Sequence, residues 1–427
     1  MNGLVVMFIV MAITLIIGIP VAFSLAMSAA AYLIVTGFTS LSVIAQTTID
    51  GINSFPYLAL PLFILAGELM SYGCTPRLLN LVRMLLGRMP GSLGATAIGT
   101  ATFFGAVSGS GIATVASVGG MIGPEMTKEN YKKGYTASLL AATATIGVLI
   151  PPSIPFVTYS IVTGVSVGKM FIAGIIPGFI LGITLLVWNY LVCKKNDYGV
   201  INMHHYTYKE AINIIVDALL PLAMPVFVMG GILSGAITPT ESASVASLYA
   251  FILAKFFYKE LKWKDCLDVA VKCATTTAIT MFILACSVPF AWVLTITNFA
   301  PEAASAVMGV SDSPFIILTI VTILLIVLGT FMDTASTIVL TTPILLPIVM
   351  AAGWDPIHYG VVLVINSGMG ALTPPTAVCL VSACNIMGIN MSDSMPDVWY
   401  MCGIMIIAMI VVMIFPETTM FLPSLAQ

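Results

Sequence analysis

Gly147-Val148-Leu149-Ile150-Pro151-Pro152-Ser153-Ile154-Pro155 interrupts a long apolar stretch, and Gly370-Ala371-Leu372-Thr373-Pro374-Pro375-Thr376 does the same 223 residues further on. Tandem prolines remove two helical N–H groups and free the carbonyls one turn earlier. Each stretch therefore predicts a helix broken in its middle. Irregular backbone at membrane depth is tolerated only where protein or a wet cavity covers it. Upstream of each break lies an apolar segment rich in Gly, Ser, Thr or Pro. The first, roughly 91–123, turns at Gly105-Ala106-Val107-Ser108-Gly109-Ser110-Gly111. The second, roughly 313–350, turns at Gly329-Thr330-Phe331-Met332-Asp333-Thr334-Ala335-Ser336. Both are read as re-entrant hairpins that enter and leave on one side.

The rest of the chain supports a membrane setting. Its 427 residues are 59% hydrophobic and 8% charged, with a mean hydropathy of +1.09, where a soluble chain carries about 25% charged residues. That composition excludes most soluble enzymes and any nucleic-acid binder that relies on a basic surface. About 20 apolar residues cross the hydrocarbon layer. With that ruler ten spans are expected, roughly at 2–18, 20–36, 55–74, 133–163, 170–193, 212–234, 237–257, 273–296, 358–386 and 396–416. The start, Met1-Asn2-Gly3-Leu4, lacks the basic residues and cleavage site of a signal peptide, so the first run is expected to be a retained span. The eight cysteines form no CxxC pair and are read as small buried hydrophobes.

Charge placement orients these spans. With the N-terminus outside, Arg77, Arg83, Arg88, Lys128, Lys132, Lys133, Lys194, Lys195, Lys209, Lys255, Lys259, Lys262, Lys264 and Lys272 all fall on the cytoplasmic side, and only Lys169 falls outside. This is the bias that the positive-inside rule demands. The outer loops after Lys272 carry Glu302, Asp312 and Asp355 instead.

The chain also resembles itself. Phe63-Ile64-Leu65-Ala66 recurs as Phe282-Ile283-Leu284-Ala285, 219 residues on, and at that offset Pro20 meets Pro239 and Ser28 meets Ser247. Gly105 matches Gly329, and Gly147, Pro151 and Pro152 match Gly370, Pro374 and Pro375. The expected organisation is two repeats, 1–210 and 211–427, each with five spans and one hairpin. An odd number of spans inverts the second repeat, and inverted repeats with broken helices mark secondary transporters. The fold class expected is thus an all-α polytopic membrane protein with about ten spans and two re-entrant hairpins.

Freed carbonyls and hydroxyls at the breaks suit a hard cation such as sodium, and half-helix N-termini suit an anion. Ser108, Ser110, Ser153, Thr334 and Ser336 could hydrogen-bond a carboxylate without a buried cation. Asp333 has two readings. A carboxylate at membrane depth is usually functional, and it could equally cap the second arm of its hairpin. Glu241, in Thr238-Pro239-Thr240-Glu241-Ser242, is read as a cap or brace of the scaffold; Glu68 is also deep. The His204-His205 pair does not suggest a metal site. Trp263 and Trp354 are read as interfacial anchors.

Several stretches together resemble one family. They are Ser108-Gly109-Ser110, Ile150-Pro151-Pro152-Ser153, Lys169-Met170-Phe171-Ile172-Ala173-Gly174-Ile175-Ile176-Pro177-Gly178, Thr238-Pro239-Thr240-Glu241-Ser242-Ala243, Leu328-Gly329-Thr330-Phe331-Met332-Asp333 and Leu372-Thr373-Pro374-Pro375. The chain resembles, over essentially its whole length, the large membrane subunit of tripartite ATP-independent periplasmic (TRAP) transporters. That resemblance implies an elevator-type secondary transporter driven by sodium (Na+) in the bacterial inner membrane, with both termini periplasmic. It also implies two partners, a small four-span membrane subunit and a soluble periplasmic binding protein. Carried over by position, one sodium site would use Gly105, Ser110, Gly147, Ile150 and Pro152, and the second Gly329, Gly370, Thr373 and Thr376. The substrate carboxylate would lie between the tips, near Ser108, Ser153 and Asp333. Family substrates are organic acids, including C4-dicarboxylates and sialic acid. Ser54-Phe55-Pro56 and Phe257-Tyr258-Lys259-Glu260-Leu261 look most like sialic-acid members. The chain departs from the pattern at Thr114-Val115-Ala116, where many members have Ala-Asp, and at Thr376, where some have Met. A ligand at 376 would be largely a main-chain oxygen.

Other classes fit less well. A channel would want a continuous polar stripe or a filter ring. An intramembrane enzyme would want HExxH, a GxGD pair or DDxxD, none of which occurs. No GxxxxGK[ST] occurs either, so no nucleotide is expected. A stand-alone sodium/carboxylate symporter would share much of this architecture and remains the alternative.

Overall fold

The computed structural model describes residues 3–199, 206–308 and 313–425. Asp312 and the His204-His205 pair lie outside the described residues. Among the described residues every regular element is a helix, as expected where lipid leaves each backbone group to find its partner within its own segment.

In the first half, α1 (Gly3–Ile17) and α2 (Val21–Thr36) meet at a left-handed Gly18 and at Pro20. Then α3 (Ser42–Ile52) turns through a 3-10 segment (Phe55–Leu58) into α4 (Ala59–Met70). Helix α5 (Cys74–Leu86) is amphipathic, burying Leu78, Leu79, Leu81 and Val82. The first hairpin descends through α6 (Ser92–Ser108) and returns through α7 (Gly111–Thr114), a π-helical segment (Val115–Gly119) and α8 (Gly120–Lys128). Helix α9 (Lys133–Leu149) breaks into α10 (Ile154–Thr163), and α11 (Val167–Asn196) closes the half.

The second half begins with α12 (Tyr208–Leu233) and α13 (Pro239–Ile252), which runs on through a π-helical segment (Leu253–Phe257). One continuous helix, α14 (Trp263–Ile296), is followed by α15 (Phe299–Met308). The second hairpin is α16 (Pro314–Gly329) and α17 (Thr334–Ala351). Helix α18 (Pro356–Gly370) breaks into α19 (Val378–Met387), and α20 (Met395–Ile414) and α21 (Glu417–Leu425) end the fold.

The all-α polytopic class expected from the sequence stands, and the helix lengths describe its spans more finely. Helices α11, α12, α14, α17 and the stretch Met391–Ile414 are each long and apolar enough to cross a bilayer, and the bent pairs α3–α4 and α9–α10 bring the number to seven. The spans expected at 2–18 and 20–36 are shorter α-helices of 15 and 16 residues, and that at 237–257 is the 14-residue α13 continued by the π-helical segment Leu253–Phe257. The span at 358–386 is split into pieces of 15 and 10 residues. The stretch 55–74 is not one plain span, because α4 pairs with the unforeseen α3 at 65°.

Two packed bodies result. In one, α4 lies on α13, and α14 lies on α2, α3 and α4; Ser247 Oγ donates to the Leu62 carbonyl at 2.6 Å across the first of these contacts. In the other, the hairpin arms α6, α16 and α17 pack with α9, α11 and α18, and α19 and α20 pack on α9. They meet where α6 lies against α4 and α5, and where α17 lies against α14 and α15. An Arg83–Glu125 ion pair joins α5 to α8 across that seam, whereas Lys132–Asp397, 2.9 Å, stays within the hairpin-bearing body. Glu241 makes the cap expected of it: its Oε2 accepts from Thr238 N at 2.8 Å while Thr238 Oγ1 accepts from Glu241 N at 3.3 Å.

Candidate functional site: two hairpin tips and two helix breaks

The first tip is built by Gly109, left-handed at φ 60°, whose N–H donates to the Gly105 carbonyl at 2.8 Å and so ends α6. Ser110 then takes an extended conformation and starts the returning arm, its Oγ accepting from Ala113 N at 3.4 Å. The matching break opens when Ile150 leaves the helix in an extended conformation. Ser153 restarts it as α10: its Oγ donates to the Val148 carbonyl at 2.5 Å and accepts from Phe156 N at 3.3 Å. Tip and break touch directly, with Ile154 N donating to the Gly109 carbonyl at 3.3 Å. One turn below, α6 and α9 meet glycine to glycine. A Cβ on Gly105 would stand 2.5 Å from Gly147 Cα, so no side chain fits between them.

The second half repeats these contacts with different atoms. Asp333 caps α17, its Oδ2 accepting from Ala335 N at 3.1 Å and Ser336 N at 3.3 Å, while Ser336 Oγ donates to Oδ1. At the break, Thr376 N and Oγ1 both donate to the Thr330 carbonyl, at 3.1 and 2.6 Å. Thr373 Oγ1 donates to the Met369 carbonyl at 2.8 Å. A Cβ on Gly370 would stand 2.5 Å from Gly329 Cα. The Pro151-Pro152 and Pro374-Pro375 peptides are both cis.

Between the two tips lies a cavity of about 150 Å³. Ser110, Asp333 and Thr334 line it, together with Thr158 and with Thr276 and Thr280 from α14. The hydroxyl-bearing residues Ser108, Ser153 and Ser336 sit behind the lining, each buried; the Ser153 hydroxyl is occupied by the cap it makes and the Ser336 hydroxyl by the Asp333 carboxylate. The starts of α7, α10, α17 and α19 all border the cavity, through Gly111, Ile154, Thr334 and Val378. The helix starting at Gly111 runs on through the π-helical segment to Lys128. Four positive dipole ends thus face one space, although Ala113, Ile154, Phe156, Ala335, Ser336 and Cys379 already donate their N–H groups to protein oxygens. No Lys or Arg borders it, and its one carboxylate is Asp333.

The oxygen-rich groups expected for cations come together pairwise: Gly105 with Gly147 beside the first tip, Gly329 with Gly370 and Thr373 beside the second. All their donors are carbonyl or hydroxyl oxygens, the ligand type a hard cation prefers. The Gly105 and Gly370 carbonyls each accept one hydrogen bond here, from Gly109 N and Thr373 N, and a carbonyl has a second lone pair to offer. Sequence reasoning missed Thr158, Thr276 and Thr280. Thr276 and Thr280 are four residues apart and so share one helix face, a signal diluted by the adjoining Thr275 and Thr277.

Residues 7–418 match the family described as the tripartite ATP-independent periplasmic transporter, DctM component. An isethionate TRAP transporter permease protein, DctMQ of Oleidesulfovibrio alaskensis, is 36% identical over 96% of this chain, which spans 65% of that longer relative. The sialic acid TRAP transporter large permease protein SiaM of Vibrio cholerae is 35% identical over 96% of this chain and 95% of its own. The C4-dicarboxylate TRAP transporter large permease protein DctM of Pseudomonas aeruginosa is 33% identical over 94% of each. The solved structure of Neisseria gonorrhoeae MtrF, described as illuminating a class of antimetabolite efflux pumps, matches with a TM-score of 0.51. It is 15% identical, covering 88% of this chain and 84% of that one, and the likeness speaks to the fold alone.

Proposed function

The chain belongs to the DctM family of TRAP transporter permeases, and from that premise we propose that it takes up an organic anion together with sodium by an elevator motion. The observation that carries the substrate class is the meeting of four helix N-termini on one cavity that has no basic side chain. Such an arrangement attracts an anion through main-chain dipoles. The same cavity supports the cation. Its single carboxylate is that of Asp333, so an incoming carboxylate meets like charge, and a sodium ion at either glycine pair offsets that repulsion.

On this reading the two halves, 1–210 and 211–427, are inverted repeats. The first sodium site comprises Gly105, Ser110, Gly147, Ile150 and Pro152, and the second Gly329, Gly370, Thr373 and Thr376. Ser108, Ser153 and Ser336 set the geometry of the tips, while Ser110, Asp333 and Thr334 face the substrate. The hairpin-bearing body moves past the body built on α4, α13 and α14, which stays still. Both termini lie in the periplasm. A small four-span subunit and a soluble binding protein complete the system, the latter delivering a substrate of the sialic acid or C4-dicarboxylate class.

The test is uptake by the reconstituted chain and its two partners. Uptake of a labelled organic acid should need sodium and no ATP. Undiminished uptake with potassium or choline in place of sodium refutes the coupling.

A further inference from the structure

Thr276 and Thr280 are one turn apart on α14 and border the cavity opposite the hairpin tips. Other hydroxyls of this helix are satisfied within it: Thr275 Oγ1 donates to the Val271 carbonyl at 2.8 Å, Ser287 to Leu284 at 2.7 Å and Thr295 to Ala291 at 2.9 Å. Thr276 and Thr280 make no such bond among the described residues, although Thr280 is only 7% exposed. Thr334, facing them from the second tip, is likewise without a side-chain partner. Thr276 is exposed and Thr334 half-buried, and all three residues border the cavity with hydroxyls that can both donate and accept. The 219-residue offset between the halves puts Tyr57 and Pro61 at the matching places, so the hydroxyl pair is particular to the second half.

We propose that Thr276 and Thr280 are specificity-determining residues that hydrogen-bond the end of the substrate remote from its anchored acid group. The inference rests on the functional reading above. The four helix N-termini hold an acid group common to every candidate substrate, and they cannot tell one acid from another. Discrimination therefore falls to side chains on the far wall, which here offers two hydroxyls that both donate and accept. Their ligand is an organic anion carrying a second polar group, such as a hydroxyl, a carbonyl or a further acid. A monocarboxylate with a bare alkyl tail would leave both hydroxyls unpaired and be rejected.

The test uses the full transporter and three labelled acids: sialic acid, succinate and isethionate. Thr276→Val and Thr280→Val keep the shape of the side chain and remove the hydroxyl, while Thr276→Ser and Thr280→Ser keep the hydroxyl. For the acid that the unmodified chain carries, each valine variant should raise the half-saturating concentration roughly fivefold, the worth of about one hydrogen bond. Maximal rates should hold within about twofold, the serine variants should recover the loss, and Thr275→Val should behave as unmodified. Half-saturation and acid preference unchanged in the Thr276→Val/Thr280→Val double variant overturn the inference and leave the functional reading intact. Serine variants as impaired as the valine ones also overturn it, because packing rather than hydroxyl chemistry would then be at work. An unmodified chain that moves no organic acid with sodium overturns the functional reading and the inference with it.

Discussion

Gly105→Ala puts a methyl group where α6 and α9 touch, at the first of the proposed cation sites. The added Cβ would lie 2.5 Å from Gly147 Cα, 3.1 Å from its oxygen and 3.2 Å from its carbonyl carbon. All three atoms are main chain, so no rotamer relieves the overlap. Carbon atoms in contact sit about 3.5–4.0 Å apart, and α6 and α9 must therefore separate by about 1 Å. Overpacking of this kind costs about 1–3 kcal/mol. Replacing a helical glycine by alanine returns about 1 kcal/mol of propensity, which hides part of the cost. Gly403→Ala is the control, since Gly403 lies within α20 and a Cβ there meets nothing within 4 Å. The difference between the two variants cancels propensity and leaves packing, so Gly105→Ala should be the less stable by about 1–3 kcal/mol. Thermal unfolding of the purified proteins in one detergent measures this. The same displacement pulls the Gly105 and Gly147 carbonyls apart, so the sodium needed for half-maximal uptake should rise. A Gly105→Ala protein as stable as Gly403→Ala, with an unchanged sodium curve, refutes the reasoning. Gly370→Ala, 2.5 Å from Gly329 Cα, should behave like Gly105→Ala.

Ser153→Ala removes a cap that ties both sides of the break together. It should lower stability by about 1 kcal/mol and leave the half-saturating substrate concentration unchanged; a raised value at intact stability would put that hydroxyl on the substrate. Asp333→Asn keeps an acceptor for the Ala335 and Ser336 N–H groups but loses the charge. The unfolding midpoint should stay within the few tenths of a kcal/mol that separate such caps, while the sodium requirement rises several-fold. An unchanged sodium curve assigns Asp333 to capping alone. In a cysteine-free background, thiols at 83 and 125, on α5 and α8, joined by a short bifunctional reagent, should stop uptake. Thiols at 132 and 397, within the hairpin-bearing body, should be tolerated when joined in the same way, and equal tolerance of both pairs contradicts an elevator.

The breaks were legible because proline and glycine act locally. Pro151-Pro152 and Pro374-Pro375 end their helices whatever surrounds them, and the hairpin turns at Gly109 and Asp333 follow from residues within a few positions. Span number was less legible. Hydropathy weighs composition over a window and is blind to a bend such as that between α3 and α4. It is also blind to whether an apolar helix reaches lipid or, like α18 with every residue from Ile357 to Gly370 buried, only protein. Of the polar residues that residue type singled out at the tips, Ser110, Asp333 and Thr334 border the cavity, and Ser153 and Ser336 lie behind it. A serine at a helix start is a cap before it is anything else, and the sequence does not say on which side of the turn the hydroxyl points. Thr276 and Thr280 were illegible for the opposite reason. They sit in a helix with no break, and only the packing of α14 against the second hairpin gives that face a meaning.

The convergence of four helix starts on one cavity bears on how such a protein changes over generations. A main-chain N–H is encoded by no particular codon, so no single point mutation short of proline deletes it. If the hold on the acid group is vested in those N–H groups, it is inherited with the fold, while Thr158, Thr276, Thr280 and Thr334 around it remain free to drift. A lineage with this architecture can then trade one organic acid for another through a few substitutions in the lining without passing through an ancestor that binds no anion at all.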